Sequence, residues 1–132
     1  MPAPRLRGII VVVAVAVLVA ACASSERPDA ASWLPAWEEI TDVVPDQADL
    51  GEPPDQALCQ DILSALRVKS DGLIPAPSVT ADDLVGDWIA IAETAFFECP
   101  PEEQDLTSFA DAYQELDRIE QSVATALSDA DS

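Results

Sequence analysis

Three cysteines carry the most informative chemistry in this sequence. A thiol can accept a lipid, close a disulfide or act as a nucleophile. Cys22 directly follows Val19-Ala20-Ala21 at the end of an apolar run, whereas Cys59 and Cys99 lie in the body of the chain. The sequence contains no histidine, which is the residue that most often activates a catalytic thiol. These contexts predict covalent modification of Cys22 and mutual oxidation of the other two.

The first 22 residues have the three parts of a secretory signal. Arg5 and Arg7 form the positively charged n-region, and residues 9–19 form the apolar h-region. The small residues Ala20 and Ala21 form the cleavage region before Cys22. The run is shorter than the roughly 20 residues that a membrane-spanning helix needs. The order Val19-Ala20-Ala21-Cys22 resembles the lipobox of bacterial lipoproteins. That resemblance covers residues 1–22 only.

In lipoproteins, the lipobox cysteine receives a diacylglyceryl group and a peptidase cuts before it. The resemblance therefore implies a signal peptide over 1–21, a lipidated Cys22 as the mature N-terminus, and a place on the extracytoplasmic face of the cell membrane. One acyl chain binds a bilayer reversibly, whereas two hold a protein there stably. The layout is also similar to that of small actinobacterial lipoproteins. An ordinary cleaved signal with a chance cysteine and an uncleaved anchor helix remain the alternatives.

The charge of the chain disfavours one class of partner. Net charge is −19, and the chain beyond Ala21 keeps four basic against 25 acidic residues, which gives −21. Nucleic-acid binding needs clustered Lys and Arg, so we expect no nucleic-acid partner. Solubility alone can account for this acidity. The alternative interpretation is that the chain binds a basic protein partner. No Cys/His metal spacing, phosphate loop or catalytic triad is visible, so we expect neither a cofactor nor an enzyme.

Apolar spacing predicts three long helices after residue 53. The first spans about Pro54–Ser70 and stops at Ser70-Asp71-Gly72, where Gly72 can adopt a positive φ. The second starts at Thr80 as N-cap and ends before Pro100-Pro101. Its broad apolar face predicts the middle position of the bundle. The third runs from Pro101 or Glu102 to about Leu127.

The cysteines agree with this arrangement. Exported proteins meet an oxidising compartment, where a remaining pair of cysteines predicts a disulfide. Cys59 lies near the start of the first helix and Cys99 at the end of the second, and these ends meet in an antiparallel pair. Two free buried thiols are the alternative.

Residues 22–53 contain many acids and four prolines, which predicts an acidic tether. They also contain Trp33 and Trp37 within a short helical pattern from Ser32 or Pro35 to Thr41. These tryptophans fit three roles: packing on the domain core, contact with the membrane interface, or docking of a partner.

The sequence thus predicts an all-α protein: a signal peptide (1–21), a lipidated N-terminus with a tether (22–53), and a disulfide-linked three-helix antiparallel bundle (54–132). Two functions fit this layout. One is a non-enzymatic binding or accessory module that presents a helical surface to an envelope protein. The other is a carrier of a small ligand or lipid, which requires an enclosed apolar cavity of some 300 Å³.

Overall fold

The computed structural model describes residues 27–101 and 106–131. Within these ranges, the structure contains four α-helices, one 3₁₀ helix and no strand: α1 Ala30–Thr41, the 3₁₀ helix Gln47–Leu50, α2 Gln56–Lys69, α3 Val79–Glu98 and α4 Leu106–Asp131. The all-α class is confirmed, and the prediction of three helices is wrong because α1 is a fourth. The predicted signal peptide and Cys22 lie outside the described residues.

Three of the helices start at a side-chain cap. Asp29, Asp55 and Ser78 accept hydrogen bonds from backbone N–H groups three residues further on, at 2.7, 3.1 and 3.1 Å. Each cap satisfies one of the N–H groups that the first turn of a helix leaves without a partner. Helix α3 therefore begins at Val79 with Ser78 as its cap, and the prediction of Thr80 as cap is wrong.

Helix α1 begins before the predicted start. Asp29 caps it, so Pro35 lies inside the helix rather than in its first turn. A proline there removes one intrahelical hydrogen bond, and an isolated 12-residue helix is marginal in water. Its stability must therefore come from packing, and one face of α1 is buried in the core.

The core is continuous across all four helices. Helix α3 packs against both α2 and α4, and α1 lies across α2 and α4. The predicted middle position of α3 is confirmed. Phe97, near the end of this helix, is 73 % exposed. The largest fully buried side chains come from every helix and from the 70–78 loop: Trp88, Phe96, Ile40, Leu66, Leu73, Leu116, Ile119, Val85 and Val123.

The antiparallel helices give the bundle two ends. The N-terminal pole holds the start of α1, the end of α2, the loop 70–78, the start of α3 and the end of α4. Gly72 turns the chain there with φ 85°, as the sequence predicts. The disulfide pole holds the start of α2, the end of α3 and the start of α4. Helix α3 separates the two poles by about 28 Å at 1.5 Å per residue.

Candidate functional site

A polar cluster holds Arg27 against the loop 70–78 and the first turn of α3. The Arg27 guanidinium donates from Nη1 to the Ala76 carbonyl at 3.1 Å and to Asp82 Oδ2 at 2.5 Å. The Ala76 amide donates to the other Asp82 oxygen at 2.6 Å. Burial raises the pKa of Asp82, but the hydrogen bond from Ala76 and the Arg27 charge outweigh it and hold that pKa below its usual range. The cluster therefore holds Arg27, five positions after Cys22 in the sequence, at the N-terminal pole.

The predicted disulfide is present between Cys59 and Cys99. Their Cα atoms lie 6.3 Å apart, within the range that a disulfide spans. The Gln56 amide donates to the Cys99 carbonyl at 2.8 Å, so the start of α2 and the end of α3 are joined by a hydrogen bond as well. Both sulfurs are buried, and the bond acts as a structural staple at the disulfide pole.

Both tryptophans of the predicted tether lie in the core. Trp33 is 4 % and Trp37 is 6 % exposed. Their rings stack with centroids 5.7 Å apart, and Trp37 meets Trp88 edge to face at 5.3 Å. The Trp33 Nε1–H donates to the Leu73 carbonyl at 2.8 Å. Packing on the core, one of the three roles that the sequence left open, is the one seen in this structure.

An acidic groove of about 380 Å³ runs between α4 and the segment that leaves α1. Tyr113 lies in this groove and donates its hydroxyl to the Pro45 carbonyl at 2.8 Å. Burial raises the pKa of Tyr113, and the carboxylates of Asp46 and Asp49 raise it further, so the ring stays neutral and keeps this hydrogen bond. The groove takes its acidity from three side chains that line it: Asp46, Asp117 and Glu120.

Glu120 is a half-buried carboxyl of the groove. Burial raises its pKa, a 3.4 Å hydrogen bond from Trp88 Nε1 lowers it in part, and the neighbouring Asp117 raises it again. A carboxylate that is half-buried beside another carboxylate is electrostatically unfavourable. A cation placed in the groove would relieve that strain, whereas an anion would be repelled.

An apolar groove of about 400 Å³ lies between α1 and the last turns of α4. Its walls are mainly apolar side chains, including Leu34, Trp37 and Leu127, with Ala30 at one end and Ser128 as a polar member. The groove is open to solvent along one side. It could cover part of an acyl chain or an apolar side chain, but it does not enclose either one.

Sequence reasoning missed both grooves. Each groove forms where α1 or the segment after it crosses α4, and residues so far apart in sequence carry no spacing signal that they share a wall. In the part of the chain that the structure describes, no three His, Cys, Asp or Glu side chains converge to hold a metal ion.

Comparison with known protein families, curated proteins and solved structures finds no match to this chain. Among the helices of the described residues, none combines the length and apolar character needed to cross a bilayer.

Proposed function

We propose that this chain is an exported lipoprotein, held by acylated Cys22, whose helical domain is a non-enzymatic binding module outside the membrane. The observation that carries the proposal is the Cys59–Cys99 bond. Disulfides persist in exported proteins and are rare in reducing compartments. The disulfide supports export. The order Val19-Ala20-Ala21-Cys22 supports, in addition, the attachment of a lipid anchor at Cys22.

The acidic groove is the surface that we assign to a protein partner. Its cation-favouring character points to a basic segment, with a Lys or Arg side chain reaching Asp117 and Glu120. Such a contact would place a positive charge beside Glu120, whose pKa burial and the neighbouring Asp117 raise. Because the groove is only partly buried, the contact should weaken as salt rises and screens the charges.

Replacing Cys22 tests the anchor. The unchanged protein should yield a chain that begins at residue 22 and carries added acyl mass. Cys22→Ala should yield an unprocessed and unacylated precursor, whereas the matched variant Ser24→Ala should behave like the unchanged protein. Intact-mass spectrometry of the membrane and soluble fractions makes the comparison. Acylated, processed material from Cys22→Ala would refute the anchor.

Site-specific photocrosslinking in intact cells tests the partner surface. A photoreactive amino acid in place of the exposed groove residue Gln114 should capture a protein with a basic segment. The same amino acid in place of Gln60, exposed on α2 away from the groove, is the control. Capture at Gln114 should fall when Asp117→Asn is added and when salt is raised. Equal capture from both positions would contradict the assignment.

The apolar groove between α1 and α4 favours a second function, the carriage of a small apolar ligand. Ala124→Trp would fill this groove, and Ala90→Trp on the exposed surface of α3 is the matched control. A carrier should bind a fluorescent fatty acid saturably, and only Ala124→Trp should abolish that binding. The open side of the groove makes this the second candidate, because carriers bury most of the surface of their ligand.

A further inference from the structure

The N-terminal pole carries an exposed aliphatic patch, which we define as Val68, Ile74 and Val79. These side chains are 73, 53 and 63 % exposed. Val68 lies in the last turn of α2, Ile74 in the loop 70–78, and Val79 at the first position of α3. Phe97, the exposed large apolar residue of α3 near the disulfide pole, is far from this patch. Apart from Leu34 on α1, which is 36 % exposed, the exposed large aliphatic side chains of the described residues lie at this one end of the bundle.

The basic residues are concentrated at the same end. Arg27, Arg67 and Lys69 lie there and are three of the four basic residues that follow Cys22. Arg27 pairs with Asp82, and Lys69 pairs with Glu39. Further acids of this pole are Asp29, Asp71, Asp83 and Asp129. The N-terminal pole thus mixes both signs of charge.

The disulfide pole has a different balance of charge. Its sequence, residues 47–61, 93–101 and 106–112, contains acids but no Lys or Arg. An anionic membrane surface repels the disulfide pole more strongly than the N-terminal pole. The distribution of charge and the exposed apolar surface therefore favour the same orientation, in which the N-terminal pole faces the membrane.

Chain length ties the N-terminal pole to the position of Cys22. Only five peptide steps separate Cys22 from Arg27, and a fully extended chain covers at most about 3.6 Å per residue. Arg27 is therefore within about 18 Å of Cys22 in any conformation. Because Arg27 is fixed to Ala76 and Asp82, the loop that carries Ile74 is held within reach as well.

We propose that the aliphatic patch docks the N-terminal pole onto the bilayer surface in which Cys22 is anchored. This inference rests on the proposed function, because the acyl chains bring the patch to the membrane. Three aliphatic side chains alone make a weak membrane contact. A short tether turns that contact into an intramolecular one at an effective concentration in the millimolar range. The disulfide pole and the acidic groove then face away from the bilayer, where a protein partner can approach.

Paramagnetic broadening of backbone amide signals tests the docking. The acylated full-length mature protein is placed in nanodiscs of phosphatidylglycerol and phosphatidylethanolamine that carry a nitroxide on some headgroups. The amide signals of Val68, Ile74 and Val79 should broaden several-fold more than that of Phe97, which lies about 27 Å from Val79 along α3. Ile74→Ser/Val79→Ser should bring the broadening of Val68 down to the level of Phe97. The matched variant Phe97→Ser should leave the pattern unchanged.

Each other outcome overturns the docking. Acylated protein whose signals broaden uniformly, or most strongly at Phe97, refutes docking and leaves the anchor intact. Patch signals that stay sharp in nanodiscs but are shielded in intact cells assign the patch to a protein partner instead. Intact mass is measured first, and a chain without acyl groups refutes the proposed anchor and the docking together, which distinguishes that failure from the first.

Discussion

Replacing Trp37 with alanine tests whether α1 is an integral part of the domain or a removable tether. Trp37 is 6 % exposed and contacts Trp33 on α1 and Trp88 on α3. Truncating a buried tryptophan to alanine costs about 3–5 kcal/mol, because apolar contacts are lost and a cavity remains. For a domain of about 100 residues, whose total stability is on the order of 5–15 kcal/mol, this is a large share. We expect Tm to fall by about 12–20 °C.

Leu34→Ala is the matched control, since Leu34 lies on the same helix but is 36 % exposed. Its effect should stay below about 1.5 kcal/mol, because much of that side chain is already in water. Urea unfolding of the oxidised protein should be followed by far-UV circular dichroism, because Trp37→Ala also alters tryptophan fluorescence. The denaturant slope must stay constant for the free energies to be compared. If Trp37→Ala destabilises the protein no more than Leu34→Ala does, α1 does not pack as the structure shows.

Three further changes give distinct outcomes. Cys59→Ser/Cys99→Ser should lower the free energy of unfolding by about 4 kcal/mol, because the bond closes a loop across 40 residues of sequence separation. Urea unfolding of the unchanged protein after reduction of the disulfide should show the same loss. Asp55→Ala should cost about 1 kcal/mol through loss of the α2 cap, whereas the exposed Asp61→Ala should be near neutral in the same assay. Glu120→Gln should raise Tm at pH 7, because it removes a half-buried charge while keeping the size of the side chain.

The pH dependence of the Glu120 effect has a defined sign. The folded protein binds a proton at Glu120 more tightly than the unfolded chain does, because the folded pKa is raised. The stability that the neutral carboxyl contributes is fully present below the ordinary pKa of glutamate, near 4.3, and is lost as pH rises through the raised folded pKa. The advantage of Glu120→Gln should therefore shrink on acidification to about pH 4. An advantage that grows on acidification would contradict the burial of this carboxyl.

Local physics explains why much of the helical framework could be read from the sequence. The stripe of α2 and the glycine stop at Gly72 depend on residues within a few positions of one another. The Cys59–Cys99 pair was predicted because two cysteines remain in a chain that is expected to be exported. The short loop between their helices agrees with it, since it makes the helices antiparallel and brings the two cysteines to the same end. The predicted cap of α3 lies two residues after the observed one, because Ser78 and Thr80 can both cap a helix and the choice depends on how the loop packs.

Helix α1 shows where local reasoning was insufficient. Proline and acid content predicted a tether, and Pro35 does weaken the helix by removing a hydrogen bond. Burial of Trp33, Trp37 and Ile40 against α2, α3 and α4 compensates for that loss. No residue near α1 in sequence reveals those partners: Trp33 donates to the Leu73 carbonyl 40 positions further on, and Trp37 packs on Trp88 51 positions further on. A short apolar stripe among prolines is consistent both with a tether and with a helix that packs in the core.

The amino-acid sequence by itself determined the helical class and the acidity of the chain, because periodicity and charge are properties of short segments. It also predicted the pairing of Cys59 with Cys99, because only these two cysteines remain once Cys22 is assigned to the lipobox. Tertiary structure alone decided that α1 completes the core, that Tyr113 and Glu120 share a groove, and that Val68, Ile74 and Val79 are exposed at one pole. These features join segments that are distant along the chain. Their proximity comes from how the helices pack, and packing depends on the shapes of all four apolar faces at once.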